Sequence, residues 1–150
     1  MTPLPERFTT PIAVHLFLVR DDEILLLRRF NTGYEDGKYS VIAGHLDGGE
    51  GVLDAMCREA REEAGIELDR AATSVRGVMH RRSPDSERID FFLTSTRWTG
   101  EIRNLEPGKC DELRWAPLDR LPVNTIPYVA AAIAAWRRGD WFSAFGWDAE

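Results

Sequence analysis

At 150 residues and 17.0 kDa, with 43% hydrophobic residues, the chain has room for one compact domain with an ordinary core and none for a second. A formal charge of -6 and a pI of about 5.1 provide no basic field to displace counterions from a nucleic-acid backbone or to hold an anionic membrane, so neither a nucleic-acid polymer nor a membrane is expected as partner. An acidic protein that handled phosphates would need its positive charge locally, from a few arginines or a bound cation.

Residues 1–10 carry prolines and threonines and read as a loose lead-in. Residues 12–19 and 23–29 are apolar runs of strand length separated by Arg20, Asp21 and Asp22, which predicts a hairpin. The first run contains His15 and is far too short to span a bilayer; no export-signal pattern precedes it, so a cytoplasmic location is expected. Residues 31–38 (NTGYEDGK) are turn chemistry, followed by a short strand over 39–43. Good helix formers fill residues 51–64, with Gly65 placed as a left-handed C-terminal cap. Residues 74–80 and 89–98 read as strands around a polar turn at Ser83, Pro84 and Asp85, and residues 113–116 as a shorter strand. Pro127 opens a second helix that runs to about Arg138 and ends at Gly139. Residues 140–150 form a tail rich in aromatic residues. The order of elements predicts an α+β domain with a mixed sheet between helical layers. Cys57 and Cys110 lack metal-ligand spacing and read as free thiols in a reducing compartment.

The segment that carries chemistry is residues 44–66, GHLDGGEGVLDAMCREAREEAGI. At about 100° per residue, Glu62 and Glu63 lie roughly 60° and 40° to either side of Glu59, so their carboxylates share one helical strip. Such a strip repels itself in a free helix, whereas a hard divalent cation coordinated by carboxylate oxygens converts the repulsion into binding. Leu53, Met56, Ala60 and Ala64 form a neighbouring apolar strip that can dock on a sheet and leave the acids at a cleft edge. Gly44, Gly48, Gly49 and Gly51 allow close approach to the main chain, and Arg58 is placed to pair with Glu50. An acid-rich helix face alone is ordinarily just solvated.

The spacing argues otherwise. Gly44, Glu50, Arg58-Glu59, Glu62-Glu63 and Gly65, with aliphatic Ala60 and Ile66, resemble the whole Nudix box without a gap; by average residue usage such a match arises by accident on the order of once in a million chains. The resemblance implies a Nudix-type α/β/α sandwich that hydrolyses a nucleoside diphosphate linked to another moiety with Mg²⁺ or Mn²⁺. It makes Glu59, Glu62 and Glu63 metal ligands, together with the backbone carbonyl of Ala43, gives Glu50 and Arg58 supporting catalytic roles, and places Gly44 among the substrate-binding residues. Ile42 stands where the family often has proline.

Residues 104–122 (NLEPGKCDELRWAPLDRLP) resemble the corresponding stretch of MutT-type nucleoside triphosphate hydrolases, some of which act on oxidised purine nucleotides. That resemblance makes Glu106 a loop acid able to reach the metal cluster, Arg29 a substrate contact and Asn124 a base-reading amide; a plain loop acid, a solvated strand end and a turn asparagine are the alternatives. Arg28 is expected on the opposite face from Arg29. Arg81 and Arg82 read as an exposed pair, and His45 and His80 as structural residues. The expected partner is a small nucleotide. Hydrolysis of ADP-ribose or a nucleotide sugar, and a sensor that binds nucleotide without cleaving it, are the other readings. Trp141, Phe142, Phe145 and Trp147 are expected to pack on the domain itself or on a second subunit in a homodimer.

Overall fold

The structure, a computed structural model, describes residues 2–147; Met1 of the lead-in and residues 148–150 of the tail lie outside the described residues. Strands β1 (Ile12–Arg20) and β2 (Glu23–Arg29) form the expected hairpin, turning through Asp21 and Asp22 at φ of 51° and 63°. Two consecutive left-handed aspartates give a turn whose twist matches that of the flanking strands. The two strands pair only at this end, where Val19 faces Ile24 and Arg20 faces Glu23.

Beyond the turn each strand takes different neighbours. β1 lies between β4 (Ile42–His45, antiparallel) and β7 (Ser86–Ser95, parallel), and β7 continues to β6 (Thr73–Ser83). β2 lies between β3 (Tyr39–Ser40) and β9 (Cys110–Pro117). The single strand expected over residues 39–43 is therefore two strands. Tyr39 and Ser40 serve the β2 wing, Ile42 to His45 serve the β1 wing, and the chain passes from one wing to the other at Val41. The strand expected at residues 113–116 extends to both sides, and a small accessory sheet pairs β5 (Glu67–Leu68) with β8 (Trp98–Thr99).

Alternation along β1 divides the core. Val14, Leu16 and Leu18 face helix α1 (Val52–Ala64), whose Ala55, Met56, Ala60 and Ala64 are buried against them. Small residues there let the helix lie close to the sheet, with Leu53 half-buried at its margin. Phe17, together with Ile24, Leu26, Met79 and Phe92, faces helix α2 (Pro127–Arg138). The expected α/β/α sandwich is thus present, with both glycine caps in the left-handed region at Gly65 and Gly139. The longer of the helices has 13 residues, and none among the described residues is long and apolar enough to cross a membrane.

The tail contributes a further strand. β10 (Phe142–Phe145) lies parallel to β6, with Phe142 opposite Val78 and Phe145 opposite Arg81, and the Trp147 indole N–H donates to the His80 carbonyl at 2.9 Å. Phe145 and Trp147 therefore pack on the domain itself, while Trp141 and Phe142 stay exposed.

His15 sits in the α2-side layer at 1% exposure. Its Nε2 lies 3.0 Å from the Tyr128 hydroxyl, and its Nδ1 has no hydrogen-bond partner; the Phe91 carbonyl is near enough to favour the charged ring but is not placed to accept properly. Burial pushes the imidazole down to about 4, partly opposed by the Asp90 carboxylate. The ring folds neutral, whereas in the unfolded chain it takes a proton below about 6.5, so this contribution to stability is present above pH 6.5 and lost as pH falls towards 4. Urea unfolding at pH 7 and pH 5 should show about 2 kcal/mol of pH-dependent stability that disappears in His15→Phe. Equal pH dependence in the two proteins would contradict a neutral buried ring.

Candidate active site

The splayed ends of β1 and β2 flank a cavity of about 650 Å³. Helix α1 lines it with Glu59, Glu62 and Glu63, β4 with Ala43, Gly44 and His45, and the loop before β9 with Asn104 and Glu106. The predicted acids and the main chain of Ala43 and Gly44 are therefore brought together.

Arg58 organises this wall. Its Nε and Nη2 donate to the Glu50 carboxylate at 3.1 and 2.7 Å, and Nη2 also lies 3.3 Å from the His45 carbonyl. Nη1 donates to Glu59 at 2.8 Å and to Glu62 at 3.3 Å. The fork thus ties loop, strand and helix together and offsets the repulsion along the acidic strip. The Arg58 hydrogen bond holds the Glu50 carboxyl below the usual carboxylate range. Gly44 leaves room for the Glu59 carboxylate, because a Cβ built there would overlap it and push the side chain aside.

Glu63 lies beyond the reach of Arg58. Its Oε2 is sealed from solvent and has no hydrogen-bond partner. Burial raises its carboxyl well above the ordinary range, and the adjacent Glu59 and then Glu106 push the same way, while the Ala43 backbone acts in the opposite direction. Glu106 owes its place to local bonding. Arg103 and Leu105 donate backbone N–H groups to the carbonyls of Ala64 and Glu63 at 3.0 and 3.2 Å, pinning the loop to the end of α1. Asn104 accepts from the Glu106 N–H at 3.0 Å and donates to the Cys110 carbonyl at 2.6 Å, closing the turn around Glu106.

The all-oxygen donor set and the sealed, unpaired Glu63 oxygen fit a hard divalent cation. As placed, no group of three or more His, Cys, Asp or Glu side chains among the described residues converges as around a bound ion, since Glu59 and Glu62 are bonded to Arg58.

The NUDIX domain profile matches residues 9–137. The chain belongs to the Nudix family. Among curated proteins it is 29% identical over 128 residues to an NAD-capped RNA hydrolase NudC of Shigella dysenteriae, covering 84% of this chain and 47% of that protein. It is 33% identical over 107 residues to one of Pseudomonas aeruginosa, covering 71% and 36%. It therefore spans less than half the length of these relatives. Among solved structures it resembles a MutT NUDIX hydrolase of Burkholderia pseudomallei, with TM-score 0.78, 28% identity and coverage of 85% of this chain and 98% of that one. A MutT protein of Methanosarcina mazei shares the fold, with TM-score 0.74, 19% identity and coverage of 88% and 97%.

Beyond the Nudix box, Arg29 lines the cavity as expected, its guanidinium held by the Tyr34 carbonyl at 2.7 Å and the Thr32 hydroxyl at 3.1 Å. Arg28 departs from expectation. Both arginines border the cavity; the β2–β9 ladder shifts register here, Arg28 facing Glu112 and Arg29 facing Cys110, and the extra β9 residue, Asp111, pairs with the Arg28 guanidinium at 2.8 Å. Asn124 does not line the cavity; its amide donates to the Gly37 carbonyl at 2.9 Å, closing a turn. His45 borders the cavity, with Nε2 3.2 Å from Arg88 Nη1, and His80 stacks on Trp147. Both cysteines are buried and free.

The reading of Arg81 as exposed is overturned. Its side chain is buried, paired with the fully buried Asp90 at 2.7 Å, and lies over the Tyr128 ring. Sequence reasoning missed this wall of His15, Arg81, Asp90 and Tyr128. The available signal was a histidine inside one apolar strand and an aspartate inside another, IDFFL.

Gly44→Ala should displace the Glu59 carboxylate, the far end of a flexible side chain, from Arg58 and destabilise the fold by no more than about 1 kcal/mol. In a Glu59→Ala background the same change should be nearly neutral, a coupling that urea titrations of the four proteins measure. Additive effects would refute the close approach.

Proposed function

We propose that the chain is a divalent-metal-dependent pyrophosphohydrolase acting on a nucleoside diphosphate-linked substrate, with a (deoxy)nucleoside triphosphate, oxidised purines included, cleaved to monophosphate and pyrophosphate as the favoured case. The observation that carries the reading is the gathering of Glu59, Glu62, Glu63 and Glu106 in one cavity, with a buried oxygen of Glu63 that no described residue satisfies.

Glu59, Glu62, Glu63 and the Ala43 carbonyl are the groups to hold Mg²⁺ or Mn²⁺. The ion would neutralise phosphate oxygens and stabilise the departing phosphate. Arg29, whose partners are all neutral, is free to receive phosphate oxygens. Attack by water on phosphorus breaks the P–O bond of the anhydride; Glu106 or a box glutamate takes the water proton, and the leaving phosphate carries the electron pair away. Arg58 and Glu50 act through position, holding the loop and the acidic strip in register.

The curated relatives are named for capped RNA, yet the net charge of -6 in this chain favours a small nucleotide over a polymer. Another structural neighbour is named as an ADP compounds hydrolase, which keeps a nucleotide sugar as the second substrate reading.

Glu62→Gln and Glu63→Gln should each lower kcat by about three orders of magnitude while the fold persists. A product-resolved panel of NTPs, oxidised dNTPs, ADP-ribose and dinucleoside polyphosphates in ¹⁸O water identifies the substrate and the phosphorus attacked. Near-native rates in both variants, or no Mg²⁺ or Mn²⁺ binding by calorimetry with and without nucleotide, would sink the reading.

A further inference from the structure

We propose that Arg81 is a specificity-determining residue that reads the carbonyl-bearing edge of a nucleobase, at the part of the cavity walled by α2-side residues. The idea rests on the nucleotide substrate proposed above.

The guanidinium is immobilised before any ligand arrives. Nε and Nη2 donate to Asp90 at 2.7 and 3.3 Å, and one face lies over the Tyr128 ring with the guanidinium carbon 3.6 Å from the ring centre. Nη1 differs from the other nitrogens. Among the described residues it donates to nothing, and it is not among the polar atoms sealed from solvent. Arg81 lines the cavity, and Nη1 is the guanidinium nitrogen left without a partner among the described residues.

Stability does not explain this arrangement. A buried arginine–aspartate pair gains little over apolar residues of similar volume, and the wall also carries the unpartnered His15 Nδ1.

Charge and hydrogen-bonding capacity define the ligand. Asp90 cancels the charge of Arg81, while burial keeps the His15 ring and the Tyr128 hydroxyl neutral, so this part of the cavity has no net charge. Arg29 and Arg88, by contrast, line the cavity without a carboxylate partner among the described residues and suit phosphate. A neutral recess suits a neutral ring. Tyr34, which also lines the cavity, adds an aromatic flank. The Tyr128 hydroxyl and His15 Nε2 bond each other, with the donor set by the ring tautomer. At Arg81 itself the group is donor only, since guanidinium accepts nothing. A ring carbonyl satisfies it, and an exocyclic amino group at the same place opposes it. Guanine and hypoxanthine are therefore favoured over adenine.

Calorimetric titration of GMP, IMP and AMP without metal tests this apart from catalysis. The native protein should bind GMP and IMP about tenfold to a hundredfold more tightly than AMP, as expected for one hydrogen bond from a charged donor. In Arg81→Met/Asp90→Leu, which leaves no carboxylate unpaired, the three affinities should converge within about threefold through loss for GMP and IMP. Equal binding by the native protein, no binding of any of the three, or a preference that survives in the folded variant would overturn the proposal. Turnover of the wider substrate panel judges the hydrolase reading separately.

Discussion

Carboxylates packed along one helical strip repel each other, and the Arg58 guanidinium is what lets Glu59 and Glu62 stand together beside Glu50. A lysine ammonium in its place has no planar fork with which to hold the loop carboxylate and the strip at once. Compensation stops at Glu63. That carboxyl is buried beyond the guanidinium, has one oxygen without a partner, and is driven towards its protonated form by burial and by Glu59. Arg58 thus offsets the charge of two of the three acids, Glu59 and Glu62, and leaves Glu63 without a cation among the described residues.

The cavity exists because the sheet divides. Pairing between β1 and β2 ends soon after the hairpin, and each strand then recruits its own neighbours. One consequence is chemical. Residues from both faces of the sheet reach the same space: the acidic strip from the α1 layer, and the neutral, aromatic wall of Tyr128, His15 and Arg81 from the α2 layer. A small molecule with a charged end and a neutral ring matches such a division better than a uniformly charged one.

Most of the architecture was legible in the sequence, for identifiable reasons. Apolar runs of strand length marked β1 and β2, Pro127 and the cap glycines bounded α2 and α1, and the box spacing located the acidic strip and the Arg58–Glu50 pair. The features that were not legible depend on distant partners. Tyr39 to His45 divides between two wings because different strands claim its two halves, and the Arg28–Arg29 bulge is set by β9. Arg81 reads as a surface cation until Asp90, nine residues on and opposite Met79 in the neighbouring strand, is seen to meet its guanidinium diagonally across the hairpin. Asn124 carried a turn asparagine's signal and has a turn asparagine's hydrogen bond.

The parallel strand β10 has a consequence for solubility. Without it, β6, 11 residues long, would present an open ladder to any passing chain, the arrangement from which edge-to-edge aggregation grows. Phe142–Phe145 covers the stretch from Val78 to Arg81, 4 of those residues, and interrupts the rim there, anchored by Trp147 on the His80 carbonyl. The aromatic tail is in this sense a selvedge, finishing the sheet where its fabric would otherwise fray.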